Sequence, residues 1–221
     1  MNKLVSQILL IIVFSIAMFT STFAQTGDVY SCVTDLVIDE KPKKARSTRG
    51  VHQPSKKWIP GQTIRVKFLE GNEYVKGKVM EYADIWEEYA NVDFVFVESG
   101  AAEIRITFTM DKGSWSYHGK DSAIQSMVKT ANGPQFVRNN TGASMNFGWF
   151  NDNTPDEEFR RTTLHEFGHA LGLRHEHQNK NQNIQWNEEA VYDYFAKQGW
   201  SREKTYTQVL SRYGSDNEIS N

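Results

Sequence analysis

A histidine-rich segment, residues 165–177, constrains the fold of this 221-residue chain more than any other feature, because it holds four of the six histidines. It contains the pattern H-E-x-x-H-x-x-G-x-x-H. At about 3.6 residues per turn, His165 and His169 lie on one face of a helix, and both imidazoles can reach a single metal ion. A third histidine, His175, can reach that ion only if the chain turns, and Gly172 permits the positive φ at which a helix ends. The spacing therefore predicts a helix that ends near Gly172 and three imidazoles that bind one zinc ion.

Glu166 occupies the second position of this pattern. It lies one position round the helix from His165, so its carboxylate can approach a water on the metal without binding the metal. Three neutral imidazoles leave the fourth zinc position open, and zinc activates a water there. A nearby carboxylate can take the proton of that water and pass it to a leaving amine. The pattern therefore predicts hydrolysis by a metal-activated water, with Glu166 as the general base and His165, His169 and His175 as the zinc ligands.

The helix that carries the pattern is also predicted from its start and its apolar face. The sequence of residues 154–157, Thr-Pro-Asp-Glu, is typical of a capping box with Thr154 as the N-cap and proline at the first helical position. An apolar stripe at helical spacing predicts one buried face: Leu164, Phe167, Ala170 and Leu171.

Upstream of this helix, residue periodicity predicts a sheet. Apolar residues alternate with Arg65 and Lys67 over residues 64–68, which indicates a strand with one solvent-facing side. An apolar repeat at spacings of four and three then predicts a long amphipathic helix: Val75, Val79, Tyr82, Trp86 and Tyr89. Residues 92–97 and 104–108 are predicted strands, and a strand-helix-strand crossover of this length favours parallel pairing.

Residues 110–143 are rich in glycine, asparagine, serine and lysine, and are predicted to form a surface excursion with a short edge strand. Within it, Trp115 and Tyr117 are candidates either for the rim of a cleft or for ordinary packing. His118 is not expected to bind the metal, because three ligands are already present and a catalytic zinc keeps its fourth position open. His177 is expected to support a ligand or to lie at the surface.

Residues 145–150 are predicted to form the last strand before the active-site helix. After the histidine-rich segment, Asn187 is predicted to cap a helix that ends near Gly199. Ser201 is predicted to cap another helix, which extends to about Arg212.

These segments resemble the metzincin clan of zinc endopeptidases. The run from His165 to Glu176 is similar to the clan motif, and a glutamate directly after the third histidine is typical of the astacin branch. Residues 113–117 and 145–149 are similar to segments of bacterial and fungal astacin-like proteins, and the resemblance covers about residues 58–213. It implies an α+β fold: a twisted, mostly parallel five-stranded sheet with a long backing helix and an active-site helix. In this clan an edge strand above the zinc pairs with an extended polypeptide substrate.

The N-terminal residues indicate a secreted protein. Residues 1–24 have the features of a signal peptide, with Lys3 and an apolar run of residues 8–19 that is too short to span a bilayer comfortably. Export to the extracellular space or the periplasm is therefore favoured over a retained anchor. Residues 25–57 are predicted to be a leader or propeptide, in which the basic run of residues 41–46 is either a processing site or a solvated linker. Residues 58–221 are predicted to form the catalytic domain.

Composition adds two restrictions on partners and on covalent structure. The formal net charge of −2 gives no electrostatic reason to expect a nucleic acid or an anionic membrane as a partner. The single cysteine, Cys32, excludes an internal disulfide. A lone thiol near the start of a zinc protease can cap the metal in a latent form, as in matrixins, but the residues around Cys32 do not match the Pro-Arg-Cys-Gly pattern of that family.

The sequence differs from metzincins after the third histidine. Metzincins form a methionine turn there, followed in astacins by a tyrosine, whereas all six methionines of this sequence precede the motif. We therefore expect the sequence to stop short of that turn, and Tyr213 has no methionine beside it. Two alternatives to an active endopeptidase stay open: a zinc-binding but inactive protein that holds peptides, and a zinc hydrolase that acts on another substrate class. The G-x-x-H extension of the motif disfavours the second alternative.

Overall fold

A computed structural model of the chain describes residues 51–52, 54–110, 113–124, 126–130, 133–137, 141–179, 181, 183–213 and 219–220. The predicted signal peptide, Cys32 and the basic run of residues 41–46 lie outside these ranges. None of the helices within them has the length and apolar character that crossing a membrane requires.

The secondary structure alternates between short strands and helices. In chain order, the elements are β1 (Val51–His52), β2 (Gln62–Phe68), α1 (Glu73–Ala83), β3 (Val92–Phe96), β4 (Ile104–Thr107), β5 (Trp115–Ser116), α2 (Asp121–Ile124), β6 (Ser126–Thr130), β7 (Gly133–Val137), β8 (Met145–Asn146), α3 (Asp156–Ala170), α4 (Glu188–Ala196), α5 (Arg202–Thr205) and β9 (Ile219–Ser220). Short 3₁₀ helices occupy Pro54–Lys56, Asp84–Glu88 and Glu176–Gln178, and a π-helical turn occupies Tyr206–Leu210.

The main sheet has five strands in the order β3-β2-β4-β8-β5. The first four are parallel to one another, and only the edge strand β5 is antiparallel to its neighbour β8. Two further antiparallel pairs, β1 with β9 and β6 with β7, lie outside this sheet. The predicted α+β fold with a mostly parallel five-stranded sheet is therefore confirmed.

Apolar burial between the sheet and the two long helices forms the core. On β2, Ile64 and Val66 are buried while Arg65 faces solvent, as the alternation predicts. Helix α1 begins where the side chain of Asn72 accepts a hydrogen bond of 3.0 Å from the backbone N–H of Val75. On α3, the ring of Phe167 is fully buried and meets that of Phe94 edge to face, with 5.0 Å between the ring centroids.

The observed helix α1 is shorter than the apolar repeat from which a long helix was predicted. Helix α1 ends at Ala83 and continues as a 3₁₀ turn, which has about 3.0 residues per turn instead of 3.6 and therefore rotates the apolar face. As a result Tyr89, which the repeat places on the buried face, is 76% exposed. Trp86 stays half-buried, and its indole N–H donates to the carbonyl of Leu164 on α3 at 3.0 Å.

The predicted capping box of α3 is wrong. The hydroxyl of Thr154 accepts from the backbone N–H of Asn151 at 3.0 Å and lies 3.3 Å from the carbonyl of Trp149, so it closes the preceding turn and does not cap the helix. The helix begins one residue later than predicted, with Pro155 at the N-cap. Asp156 at its first position accepts from the hydroxyl of Tyr82 at 2.6 Å, which joins the start of α3 to α1.

The region predicted as a surface excursion is partly buried. The side chains of Trp115 and Tyr117 are 5% and 2% exposed and pack edge to face, with Ala143 beside them. They are packing residues, because both side chains are almost fully buried against each other. Likewise, only residues 145–146 of the predicted strand over residues 145–150 pair with β4 and β5, and a turn follows.

Candidate active site

Helix α3 presents two histidines and one glutamate in its last two turns. Phe159, Phe167 and Ala170 are fully buried on its core face, whereas Leu164 and Leu171 are half-buried. This apolar face fixes the rotation of the helix about its axis. His165 and His169, four positions apart, therefore point in the same direction.

Gly168 lets an aromatic ring approach helix α3 closely. A Cβ atom at this position would lie 3.2 Å from Cζ2 of Trp86, which is tighter than ordinary contact. Trp86 is the residue whose indole also bonds to the carbonyl of Leu164. Gly168, which occupies an unspecified position of the pattern, thus has a packing role.

Helix α3 ends in a Schellman motif that turns the chain back toward the two histidines. The backbone N–H of Leu173 donates to the carbonyl of Gly168 at 2.9 Å, and that of Gly172 donates to the carbonyl of His169 at 2.7 Å. Gly172 has φ of 102°, and no atom lies within 4 Å of a Cβ built there. The glycine is therefore required for its backbone conformation and not for space, as the sequence predicts.

The turn brings three imidazole nitrogens together. Nε2 of His165 lies 3.1 Å from Nε2 of both His169 and His175, and the last two atoms are 3.2 Å apart. Ligand nitrogens about 2.0–2.1 Å from a tetrahedral zinc ion are separated by roughly 3.3 Å. The three donor atoms therefore fit a single zinc ion. Among the described residues, these histidines also form the one group of at least three His, Cys, Asp or Glu donors within 4.8 Å of one another.

The three imidazoles are held in the neutral form that binds metals. Burial lowers the pKa of His165 to about 4 and that of His175 to about 3. Burial also places the pKa of His169 well below its usual range. Nδ1 of His169 lies 2.8 Å from the carbonyl of Leu173, to which it can only donate. The proton of His169 is therefore on Nδ1, and the lone pair on Nε2 faces the other two rings.

Glu166 is fully buried next to His165 in the same helical turn. Glutamate side chains are rarely fully buried in proteins, because a carboxylate loses favourable hydration there. Its burial beside three neutral imidazoles favours a chemical role for this carboxylate.

The other two histidines near the site contact the rings of the triad. His118 is 4% exposed, and the centroid of its ring lies 4.9 Å from that of His169 at a steep angle. His177 stacks on His175 with 5.1 Å between ring centroids and meets Trp186 edge to face. Neither belongs to the close group of three donors.

Two segments before the helix close over its C-terminal end. The backbone N–H of Gly119 donates to the carbonyl of His169 at 2.9 Å, and the indole N–H of Trp58 donates to that of Ala170 at 2.7 Å. Lys56 forms a buried ion pair of 2.5 Å with Asp121. The bonds from Gly119 and Trp58 reach carbonyls at the end of α3, where a helix leaves carbonyls unpaired, and no sequence pattern indicates these contacts.

Comparisons with known proteins agree with this geometry. Residues 67–192, more than half of the chain, match the family model described as Matrixin. The chain belongs to the matrixin family. A solved structure of myroilysin has a TM-score of 0.68 to this chain at 40% identity, and the match covers 78% of each chain. A second structure, a crystal structure of myroilysin, has a TM-score of 0.51 at 42% identity and covers 73% of this chain and 69% of its own. No curated protein matches the chain.

Membership of the matrixin family confirms the coarser part of the functional prediction. Matrixins are zinc-dependent peptidases, and myroilysin is a metzincin, so this chain is a metzincin metallopeptidase by family. The family model that matches is that of the matrixins, and the astacin branch predicted from Glu176 stays a prediction.

Proposed function

We propose that this chain is a secreted, astacin-like zinc endopeptidase that hydrolyses polypeptides. His165, His169 and His175 are the proposed zinc ligands, and Glu166 is the proposed general base. The observation that carries the proposal is the convergence of three Nε2 atoms within 3.2 Å of one another on a metzincin fold. The alternative is a protein that binds zinc and peptides without cutting them.

Zinc bound by the three imidazoles would supply the Lewis acidity that activates water and polarises the scissile carbonyl. Glu166 takes the proton of the attacking water and delivers it to the leaving amine. The burial of this carboxylate excludes bulk water, which strengthens its interaction with charge that develops nearby. The imidazoles stay neutral because burial keeps their pKa values low.

The proposed substrate is an extended polypeptide that adds to the edge of the main sheet. Among the described residues, strand β5 pairs with β8 and is the last strand in the order of the main sheet. The edge of a sheet is where an extended peptide can add as a further strand. One residue after β5, the chain reaches His118 and Gly119, which contact His169. A segment paired with β5 therefore lies beside the histidine triad.

Secretion and the branch of the clan rest on sequence features. Residues 1–24 have signal-peptide character, residues 25–57 form the proposed leader, and residues 58–221 form the proposed catalytic domain. Glu176 follows the third histidine directly, as in astacins. Its carboxylate accepts a hydrogen bond of 2.6 Å from the side-chain amide of Asn179.

Substitution of Glu166→Gln, which preserves volume, tests the proposal. We expect the variant to retain about one zinc ion per chain and to lose roughly 100- to 10,000-fold in the hydrolysis of an unfolded protein such as casein, because proton transfer is removed. Glu157→Gln, at an exposed position in the first turn of the same helix, should leave both quantities unchanged.

Two outcomes would contradict the proposal. Wild-type protein that holds zinc and hydrolyses nothing would support the peptide-binding alternative. Substantial hydrolysis by Glu166→Gln would remove Glu166 from the role of general base.

A further inference from the structure

Gln178 is a buried glutamine three residues after the third histidine of the triad. It ends the 3₁₀ turn Glu176–Gln178 and is 2% exposed. Its amide nitrogen donates to the carbonyls of Thr207 and Ser211, at 3.0 and 3.2 Å. Both N–H groups of the amide are therefore directed at the segment that follows α5, and the amide oxygen faces the opposite way.

The oxygen of this amide lies between a tyrosine and the third histidine. Oε1 of Gln178 accepts a hydrogen bond of 3.0 Å from the hydroxyl of Tyr213. The backbone N–H of Gln178 donates to the carbonyl of His175 at 3.1 Å, and the Gln178 side chain also hydrogen-bonds the ring of His175. Nε2 of His175 already faces the other two histidines, so the ring atom available to Gln178 is Nδ1. Since the amide N–H groups are occupied, Nδ1 is the donor and Oε1 the acceptor.

Tyr213 is itself fixed in place by three contacts. Its backbone N–H donates to the carbonyl of Gln178 at 2.9 Å, in addition to the bond from its hydroxyl. The guanidinium of Arg174 lies 4.7 Å from the centroid of its ring, and the tyrosine is 6% exposed. Residues 207–213 are thereby connected to the turn that carries His175.

We propose that Gln178 is a positioning residue for the metal ligand His175 and that Tyr213 holds it in that role. The amide oxygen keeps the proton of His175 on Nδ1, so that the lone pair on Nε2 points at the metal position. Nδ1 of His169 donates in the same way to the main-chain carbonyl of Leu173. Each of these two ligands therefore has an oxygen acceptor for its Nδ1 proton. The proposal rests on the assignment of His175 as a zinc ligand.

Two substitutions test this role through metal binding and not through activity. Gln178→Ala should weaken zinc binding about 10- to 100-fold in competition with a chromophoric chelator, because an outer partner of a ligand is lost. Tyr213→Phe removes one hydroxyl and keeps the ring against Arg174, so it should weaken zinc binding by less and in the same direction. Gln185→Ala and Tyr206→Phe, both at exposed positions after the triad, are matched controls and should bind zinc as wild type does.

Cobalt substitution and metal-free unfolding distinguish positioning from general stability. We expect the visible absorption spectrum of the cobalt form to change in Gln178→Ala, because the ligand field at His175 changes. The metal-free melting temperature of Tyr213→Phe should fall by only a few degrees, because a single hydrogen bond contributes about 1 kcal/mol. If Gln178→Ala does not fold, the zinc affinity and the cobalt spectrum of Tyr213→Phe test the positioning role of Gln178.

The outcomes separate this inference from the proposed function. Wild-type protein that binds no zinc at all overturns the metal assignment and, with it, the role of Gln178. Tight zinc binding by wild type and equally tight binding by both variants overturns the role of Gln178 alone. Weakened zinc binding with an unchanged cobalt spectrum and a matching loss of metal-free stability would show that Gln178 only stabilises the fold.

Discussion

The two regions that supply the histidine triad are stabilised in different ways. Residues 54–173, with the main sheet and helices α1 and α3, contain almost all of the buried apolar side chains of the described chain. Among the described residues after His175, only Leu210 and Tyr213 are buried and apolar, and helix α4 has no buried residue. The second region is instead connected by hydrogen bonds such as those of Gln178.

Because of this difference, the three proposed metal ligands are held in place by different kinds of interaction. His165 and His169 are fixed by a helix whose core face buries large apolar side chains, each of which stabilises a fold by about 1.5–3 kcal/mol. His175 depends on a glycine turn and on polar contacts that contribute about 1 kcal/mol each. Segments with few buried apolar contacts open first, and a ligand that binds only the folded form opposes that opening. Zinc should therefore stabilise residues 175–213 more than residues 156–171.

The largest expected effect compares one ligand from each region. His169→Ala and His175→Ala should each weaken zinc binding by more than about 100-fold, because the loss of a ligand exceeds the loss of an outer partner. Only His169→Ala should also destabilise the metal-free protein, by about 2 kcal/mol, since His169 is 3% exposed and packs against His118. Chelator competition and urea unfolding in the presence of a chelator measure the two quantities. Equal destabilisation of the metal-free protein by both substitutions would contradict the claim that the two regions are stabilised differently.

The next effect compares a buried with an exposed ion pair. Asp121→Ala leaves the ammonium of Lys56, whose side chain is 5% exposed, without its carboxylate, and should cost about 3–5 kcal/mol. Glu189→Ala removes the carboxylate of an ion pair with Arg202 whose side chains are 73% and 64% exposed, and should have no measurable effect. Urea unfolding at neutral pH checks both. A large effect of Glu189→Ala would show that the region after the triad is more cooperative than its burial indicates.

The smallest effect concerns two glycines that end helices in the two regions. Gly172 and Gly199 both have positive φ, 102° and 77°, and neither has an atom within 4 Å of a built Cβ. Alanine at either position should therefore cost about 1–2 kcal/mol of backbone strain. Only Gly172→Ala should also weaken zinc binding, because Gly172 sets the position of His175. Equal zinc affinity in the two variants would contradict the importance assigned to this turn.

Local patterns predicted the parts of the site that depend on local geometry. The convergence of the three imidazoles was predicted from the spacing of His165, His169 and His175 and from the turn at Gly172. This was possible because helix periodicity and a positive φ are properties of short segments. Alternation over residues 64–68 and the crossover length predicted the parallel strands. The exposure of Tyr89 escaped prediction because a change from α to 3₁₀ geometry leaves no mark in the apolar repeat.

Contacts between distant residues escaped prediction for a different reason. Gln178 and Tyr213 are 35 residues apart and Lys56 and Asp121 are 65 apart, and no short-range pattern relates them. These partners meet only because the tertiary fold brings their segments together. A buried glutamine or lysine has no sequence signature of its own, since both residue types are usually exposed.

Anomalous diffraction at the zinc absorption edge, from crystals of the zinc-loaded wild-type chain, tests the central claim most directly. The account predicts one strong peak per chain, about 2.0–2.1 Å from Nε2 of His165, His169 and His175. A peak bound by other donor atoms, or none at the triad, would contradict it.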